Sequence, residues 1–190
     1  MKELLRAHFE KSIPLTDTEF EYIFDHFVYR KILKHQFLIH QGDHVSNEYF
    51  VLKGCLKSFM VDSDGKTHIL QFALPDWWIT DYYALYSGTP SSLYIDSVDG
   101  AEVLSITAER KDKLCAEMHK IEHFFRKKTS WGYVALQQRI LGLLNSNAKD
   151  RYEQLLKQYP DLFKIVPKQL LASFLGVTRE TLSRLYKPPK

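Results

Sequence analysis

Apolar residues along the first thirty positions recur at helical spacing. From about Lys34 onward they alternate with polar ones. Thr16 followed three residues later by Glu19 has the form of a capping box, in which each side chain bonds the backbone near the other at a helix start. Phe20, Ile23, Phe24 and Phe27 then share one helical face, so residues 1–31 are expected as short helices. Residues 36–40 and 48–52 read as strands, the first followed by a Gly42-Asp43 turn and the second closed by Lys53-Gly54. Residues 56–61 continue as strand into a hairpin turn at Asp62-Ser63-Asp64-Gly65, and residues 67–74 return. After a loop around Pro90, residues 93–98 and 102–106 are two more strands.

Helical spacing resumes at residues 108–118. A longer helix over residues 121–146 carries Ile121, Phe124, Phe125, Trp131, Val134, Leu141 and Leu144 on its apolar side. Two shorter helical pieces follow, residues 150–158 and the segment from Pro167, with Tyr159-Pro160 between them. The order predicts an α+β fold: an N-terminal antiparallel β-roll of the double-sheet, jelly-roll type, then a long helix, then a small helical domain. The expected boundaries are 1–118, 119–147 and 148–190. A single chain has little on which to bury the wide aromatic face of the long helix, which points to a homodimer.

Charge sharpens that division. Residues 1–119 hold 12 basic and 18 acidic side chains, whereas residues 120–190 hold 14 basic and 5 acidic ones. A basic C-terminal part suits a polyanionic partner. Lys2, Glu3, Arg6 and Glu10 break up the N-terminus in a way that a secretion signal does not allow. No apolar run approaches the roughly 18 residues of a membrane span, so a cytoplasmic protein without membrane contact is expected. Two separate cysteines, Cys55 and Cys115, make neither a disulfide framework nor a zinc site, and an iron–sulfur cluster needs more thiolates than the chain has.

The most informative stretch is residues 167–185. Pro167 suits the first turn of a helix, and Leu170, Leu171, Phe174 and Leu175 give that helix an apolar face. Ala172 is small where a second helix has to pass. Gly176 allows a turn at positive φ, Val177 fills the space beneath it, and Thr178 can cap the next helix. Leu182 and Leu185 then face inward, leaving Arg179, Glu180, Ser183 and Arg184 outward. Two short helices joined this way form a helix-turn-helix. Arginine can donate two hydrogen bonds to guanine and glutamate can accept from cytosine, at the helix end that enters the major groove. Double-stranded DNA is therefore the expected partner.

With these residues in view, the chain resembles the Crp-Fnr family of cyclic-AMP receptor protein-like regulators over nearly its whole length. The strongest local match is Gly176-Val-Thr-Arg-Glu-Thr-Leu-Ser-Arg184, close to the family pattern G-x-[ST]-R-E-T-[VL]-[SG]-R. The resemblance implies that Arg179, Glu180 and Arg184 read bases, and that Gln169, Thr178 and Ser183 touch phosphates, on a palindrome of TGTGA-like half-sites. It also implies a cyclic-nucleotide-binding-like roll, with turns at Gly42-Asp43, Gly54 and Asp64-Gly65. There the sequence departs from a cyclic-AMP binder. Thr80 stands where the family's ribose-binding glutamate is expected and Ser91 where its phosphate-binding arginine is, which removes the charge-assisted phosphate contact. Thr80, Asp81, Tyr83, Ser91 and Ser92 remain as polar candidates for lining a pocket, against a filled roll whose tyrosines and tryptophans are core. No cofactor is expected, and a cyclic nucleotide or other small effector is unproven. RNA polymerase is a further partner open to such a regulator. Lys187-Pro-Pro-Lys190 stands where the family commonly has a wing, marking a short-ended variant.

Other chemistry is thin. His119 and His123 have a metal-binding spacing on a helix but lack the glutamate of a zinc-protease motif. Phosphate loops and nucleophile elbows are absent, and no enzyme is expected. Two alternatives stay open: a sensor module whose basic tail binds a protein, and a metal cupin for which His40, His44 and His68 supply only part of a ligand set.

Overall fold

Helix α1 (Lys2–Glu10) buries Leu5 and Phe9, and α2 (Asp17–Phe24) buries Phe20 and Ile23. The capping box at the start of α2 is complete: Thr16 Oγ1 accepts from the Glu19 N–H at 3.3 Å, and Glu19 returns a bond to the Thr16 N–H at 2.8 Å. The computed structural model describes residues 1–185, so the expected absence of a wing at residues 187–190 lies outside the described residues.

Six strands follow: β1 (Val28–Ile32), β2 (Phe37–Ile39), β3 (Asn47–Val61), β4 (Thr67–Ala73), β5 (Trp78–Ile79) and β6 (Tyr94–Thr107). They form one sheet in the order β1-β6-β3-β4, with β2 also pairing β6 and β5 pairing β3; the β1, β2 and β5 pairings are antiparallel. The antiparallel roll expected from the sequence is present. Three details differ. Residues 28–31, expected as helix, belong to β1, which is held by pairing with the distant Ala101–Ser105 stretch. The breaks expected at Gly54 and at residues 99–101 are bends inside single long strands, since both Gly54 and Gly100 take positive φ within a continuous ladder. A short helix, α3 (Tyr82–Ser87), fills part of the expected loop, capped by Asp81.

Strand alternation splits the core. Tyr49, Val51, Leu56, Ile79, Ile95, Ala101 and Val103 gather in one cluster inside the roll. Phe50, Trp78, Leu104 and Ile106 face the other way and pack with α1, α2, α4 (Ala108–Glu117) and the start of α5 (His119–Asn145), where Leu114, Ile121, Phe124 and Phe125 are buried. His8 sits among these aromatics: its Nε2 accepts from the Trp78 indole N–H at 2.9 Å, and its Nδ1 lies 2.8 Å from Asp76.

Two compact units result. The first comprises Met1–Ser58 and Phe72–Ser130. The second comprises Phe59–Gln71, the tip of the β3–β4 hairpin, with the chain from Trp131 onward. Here α6 (Ala148–Gln158), α7 (Leu162–Ile165), α8 (Lys168–Leu175) and α9 (Arg179–Leu185) enclose Tyr152, Leu155, Leu162, Phe163, Leu171, Ala172, Leu175 and Leu182. Helix α7 is a single turn between the two helical pieces expected at residues 150–158 and from Pro167. In α5 the exposed apolar residues begin at Trp131.

Candidate nucleic-acid interface

The turn between α8 and α9 is built by local rules. Pro167 is the N-cap of α8, one position before the first turn expected for it, and its carbonyl accepts from Leu170 and Leu171. Gly176 ends α8 in the left-handed region at φ 66°, and the Val177 N–H closes onto the Ala172 carbonyl at 3.0 Å. Thr178 Oγ1 then accepts from the Thr181 N–H at 3.2 Å, which starts α9. Ala172 and Leu182 are fully buried at the crossing, while Leu170, Phe174, Val177 and Leu185 are half-buried.

That packing leaves Arg179, Glu180, Ser183 and Arg184 exposed. Their spacing of one, three and one residues puts them on one side of the helix. Gln169 and Thr178 are also exposed, so all six expected DNA-contacting residues are accessible. The Glu180 carboxyl is held below its ordinary range by its own backbone N–H and the Thr178 hydroxyl, with Arg179 and Arg184 adding positive charge. It is therefore an acceptor at neutral pH.

One support was not legible in the sequence. Arg139 of α5 donates through Nη2 to the carbonyls of Ile69 at 3.0 Å and Phe174 at 3.1 Å, and its guanidinium lies 3.7 Å from the Phe174 ring centroid. Desolvation lowers Arg139 to about 10. Ser173 Oγ donates to the Thr67 carbonyl. Within the second unit, the hairpin tip and α8 are thus clasped through side chains on α5 and α8. Nothing local in the sequence marks an arginine that pairs with two distant carbonyls.

In the first unit, Asp81 and Ser91 come together. Both are buried; the Ser91 hydroxyl donates to Asp81 Oδ2 at 2.8 Å, and Asp81 Oδ1 caps α3 through the Ala84 N–H. Thr80 is buried with its hydroxyl donating to the Asn47 carbonyl at 2.7 Å. Tyr83 and Ser92 are at the surface. The polar groups proposed for a pocket are thus mostly bonded to one another and to the backbone. Ser97 Oγ, on β6, is buried without a hydrogen-bond partner among the described residues. His119 and His123 lie near Glu122 and Arg126, and His68 pairs with Asp62 at 2.6 Å.

Residues 29–118 match the family described as cyclic nucleotide-binding domain. The chain is 24% identical over 187 residues to the cAMP-activated global transcriptional regulator CRP of Escherichia coli O6:H1, covering 92% of this chain and 88% of that protein. It is 27% identical over 174 residues to the anaerobic regulatory protein of Haemophilus influenzae, covering 85% of this chain and 67% of that one. The solved structure of FixK2 from Bradyrhizobium japonicum superposes with a TM-score of 0.72 at 19% identity, over 84% of this chain and 82% of the other. The chain is thus similar to regulators of the Crp-Fnr type. The similarity to CRP is not confined to the roll, since it covers 92% of this chain, against the 90 residues of the family match. Among the described residues no helix is long and apolar enough to cross a membrane, and no three His, Cys, Asp or Glu side chains gather to hold a metal.

Proposed function

We propose that this protein is a dimeric transcription regulator of the Crp-Fnr type that reads DNA sequence with α9. The observation that carries the reading is the exposed face formed by Arg179, Glu180, Ser183 and Arg184 on a helix whose start is fixed by Gly176 and Thr178. Arg179, Glu180 and Arg184 read base edges, while Gln169, Thr178 and Ser183 meet phosphates. The exposed apolar row on α5 supports a homodimer, which sets two recognition helices about 34–36 Å apart, one DNA turn. In functional terms residues 1–118 are the sensor, 119–147 the dimer helix and 148–190 the DNA-binding domain, working in the cytoplasm where the chromosome lies.

A small effector and RNA polymerase are further partners in this reading. The effector is other than cyclic AMP in the usual manner, because Thr80 and Ser91 replace the residues that would hold ribose and phosphate, and both are already bonded. It acts only as far as its affinity differs between two states of the protein.

The test is binding to a TGTGA–spacer–TCACA duplex and to a scrambled one across a salt series, with wild type and Arg179→Ala. Losing a bidentate guanine contact weakens the specific complex by about 1–3 kcal/mol, and affinity falls steeply with salt as counterions are released. Equal, mutation-blind binding to both duplexes rejects this half-site. No binding at any salt favours a protein partner for the basic tail.

A further inference from the structure

A buried charge cluster lies on the helical side of the roll, away from its interior. Alternation along β3 sends Tyr49 and Val51 into the roll and Phe50 toward the helices. Glu48 shares the parity of Phe50 and is fully buried. Its Oε1 accepts from the Lys111 ammonium of α4. Its Oε2 accepts from Lys128 of α5 at 3.1 Å and from the Tyr82 hydroxyl of α3 at 3.2 Å. Lys111 also donates to the Tyr86 hydroxyl. Lys128 also donates to Tyr82 at 3.4 Å and sits 4.0 Å from the centroid of the Trp78 ring.

The groups do not balance. Two ammonium groups face one carboxylate, leaving one positive charge, and a buried unpaired charge is expensive. The acceptors are spent, whereas donors remain. Each lysine has three N–H bonds and uses two on oxygen. Tyr86 receives its hydrogen bond from Lys111, so among the described residues its own O–H has no acceptor, and the residue is 63% exposed. The Tyr82 and Tyr86 rings stack in parallel, 6.5 Å apart with 9° between planes; both are exposed, and their centroids lie 5.8 Å from the Lys128 ammonium and 5.1 Å from the Lys111 ammonium respectively. A surplus of donors, one surplus charge and an opening to solvent are the complement of a singly charged oxyanion.

We propose that the α3–α4–α5 junction is a binding site for the carboxylate or phosphate group of a small molecule, which docks on the Tyr86 hydroxyl and is neutralised by Lys111 and Lys128. Burial lowers Lys128 to about 8, only partly opposed by Glu48, so a second anion restores what the cluster lacks. The site is separate from the roll interior, and its occupancy does not depend on whether α9 reads DNA.

Calorimetric titration of the full chain with sodium phosphate and with sodium acetate, each against sodium chloride at equal ionic strength, tests the proposal. The expected result is saturable binding of at least one oxyanion. It is weakened about tenfold or more in Lys128→Gln and several-fold in Tyr86→Phe, since charge-assisted bonds are the stronger ones. Tyr86→Phe removes one acceptor of Lys111 but leaves both Glu48 ion pairs in place, so its result stands even if Lys128→Gln misfolds. Phosphate alone, acetate alone or both would each identify the headgroup and support the site. Binding no different from chloride, or oxyanion binding weakened by neither variant, overturns it.

Discussion

Gly54 and Gly100 meet where β3 and β6 bend, so closely that a Cβ on Gly54 would lie 2.0 Å from the Gly100 carbonyl oxygen. Both residues have φ near 84°. The two positions are not equivalent, since a Cβ on Gly100 would meet nothing nearer than the Ile32 carbonyl at 3.7 Å. Gly100→Ala should therefore lose only about 1–2 kcal/mol for the left-handed backbone, while Gly54→Ala should lose about 4 kcal/mol or more, among the largest single-residue effects. Urea unfolding of the two variants checks the asymmetry; similar losses would mean that the strands separate easily at the bend.

These glycines also show where local reading of the chain stops. A Lys53-Gly54 pair after an apolar run is a turn signal, and only the partner strand, some 45 residues on by sequence position, reveals it as a bend. β1 was hidden for a related reason: in Val-Tyr-Arg-Lys-Ile only Ile32 is buried, so no alternation marks it, and pairing with β6 makes the strand. The capping box at Thr16 and the Gly176–Thr178 turn were legible because their hydrogen bonds close within three to five residues. The same contrast divides the site. The exposed face of α9 follows from helical spacing, whereas the Arg139 clasp and the Glu48 cluster join residues dozens of positions apart.

His8 accepts the Trp78 indole proton, so its Nδ1 must carry the ring proton toward Asp76. A second ring proton would collide with that indole N–H. Burial accordingly lowers the His8 pKa from 6.5, with Asp76 opposing the shift. Below about 6.5 the unfolded chain takes up a proton that the folded one refuses. The stability contributed is thus whole above that value and is lost as pH falls through the lower folded value. Urea midpoints at pH 7 and in the mildly acidic range should show this decline in wild type and a smaller one in His8→Gln; equal declines would assign it to carboxylates alone.

Lys128 gives the opposite end of the pH scale its own signature. Its folded value of about 8 lies below the ordinary 10.5. Between the two, the unfolded chain holds the proton that the folded chain has released, so stability contributed at this residue rises with pH, by up to about 1.4 kcal/mol per unit for one proton. Burial also disfavours the Lys111 charge, but Glu48 and Tyr86 hold it above 10.5, and its contribution falls only at higher pH. Chemical denaturation from pH 8 to 10 should therefore give a less upward trend in Lys128→Met than in wild type. Parallel trends would place the Lys128 ammonium in ordinary solvent.

The exposed side of α5 makes the last prediction. Tyr133, Leu136, Ile140 and Leu144 follow one another at spacings of three and four and are 68%, 56%, 49% and 74% exposed. Leu143 and Leu141 flank them. A row of this period is the seam of a helix pair, and burying each aliphatic side chain is worth roughly 1.5–3 kcal/mol. Ile140 lies near the middle of the row, where a charge would be buried with no partner. Ile140→Glu should convert the proposed dimer to monomer in sedimentation equilibrium while leaving the buried core of the first unit, and so its thermal transition, nearly unchanged. It should also lower affinity for a palindromic duplex far more than for an isolated half-site, because in the proposed function two α9 helices are held together to read both halves. A dimer that persists in this variant would move the interface off α5.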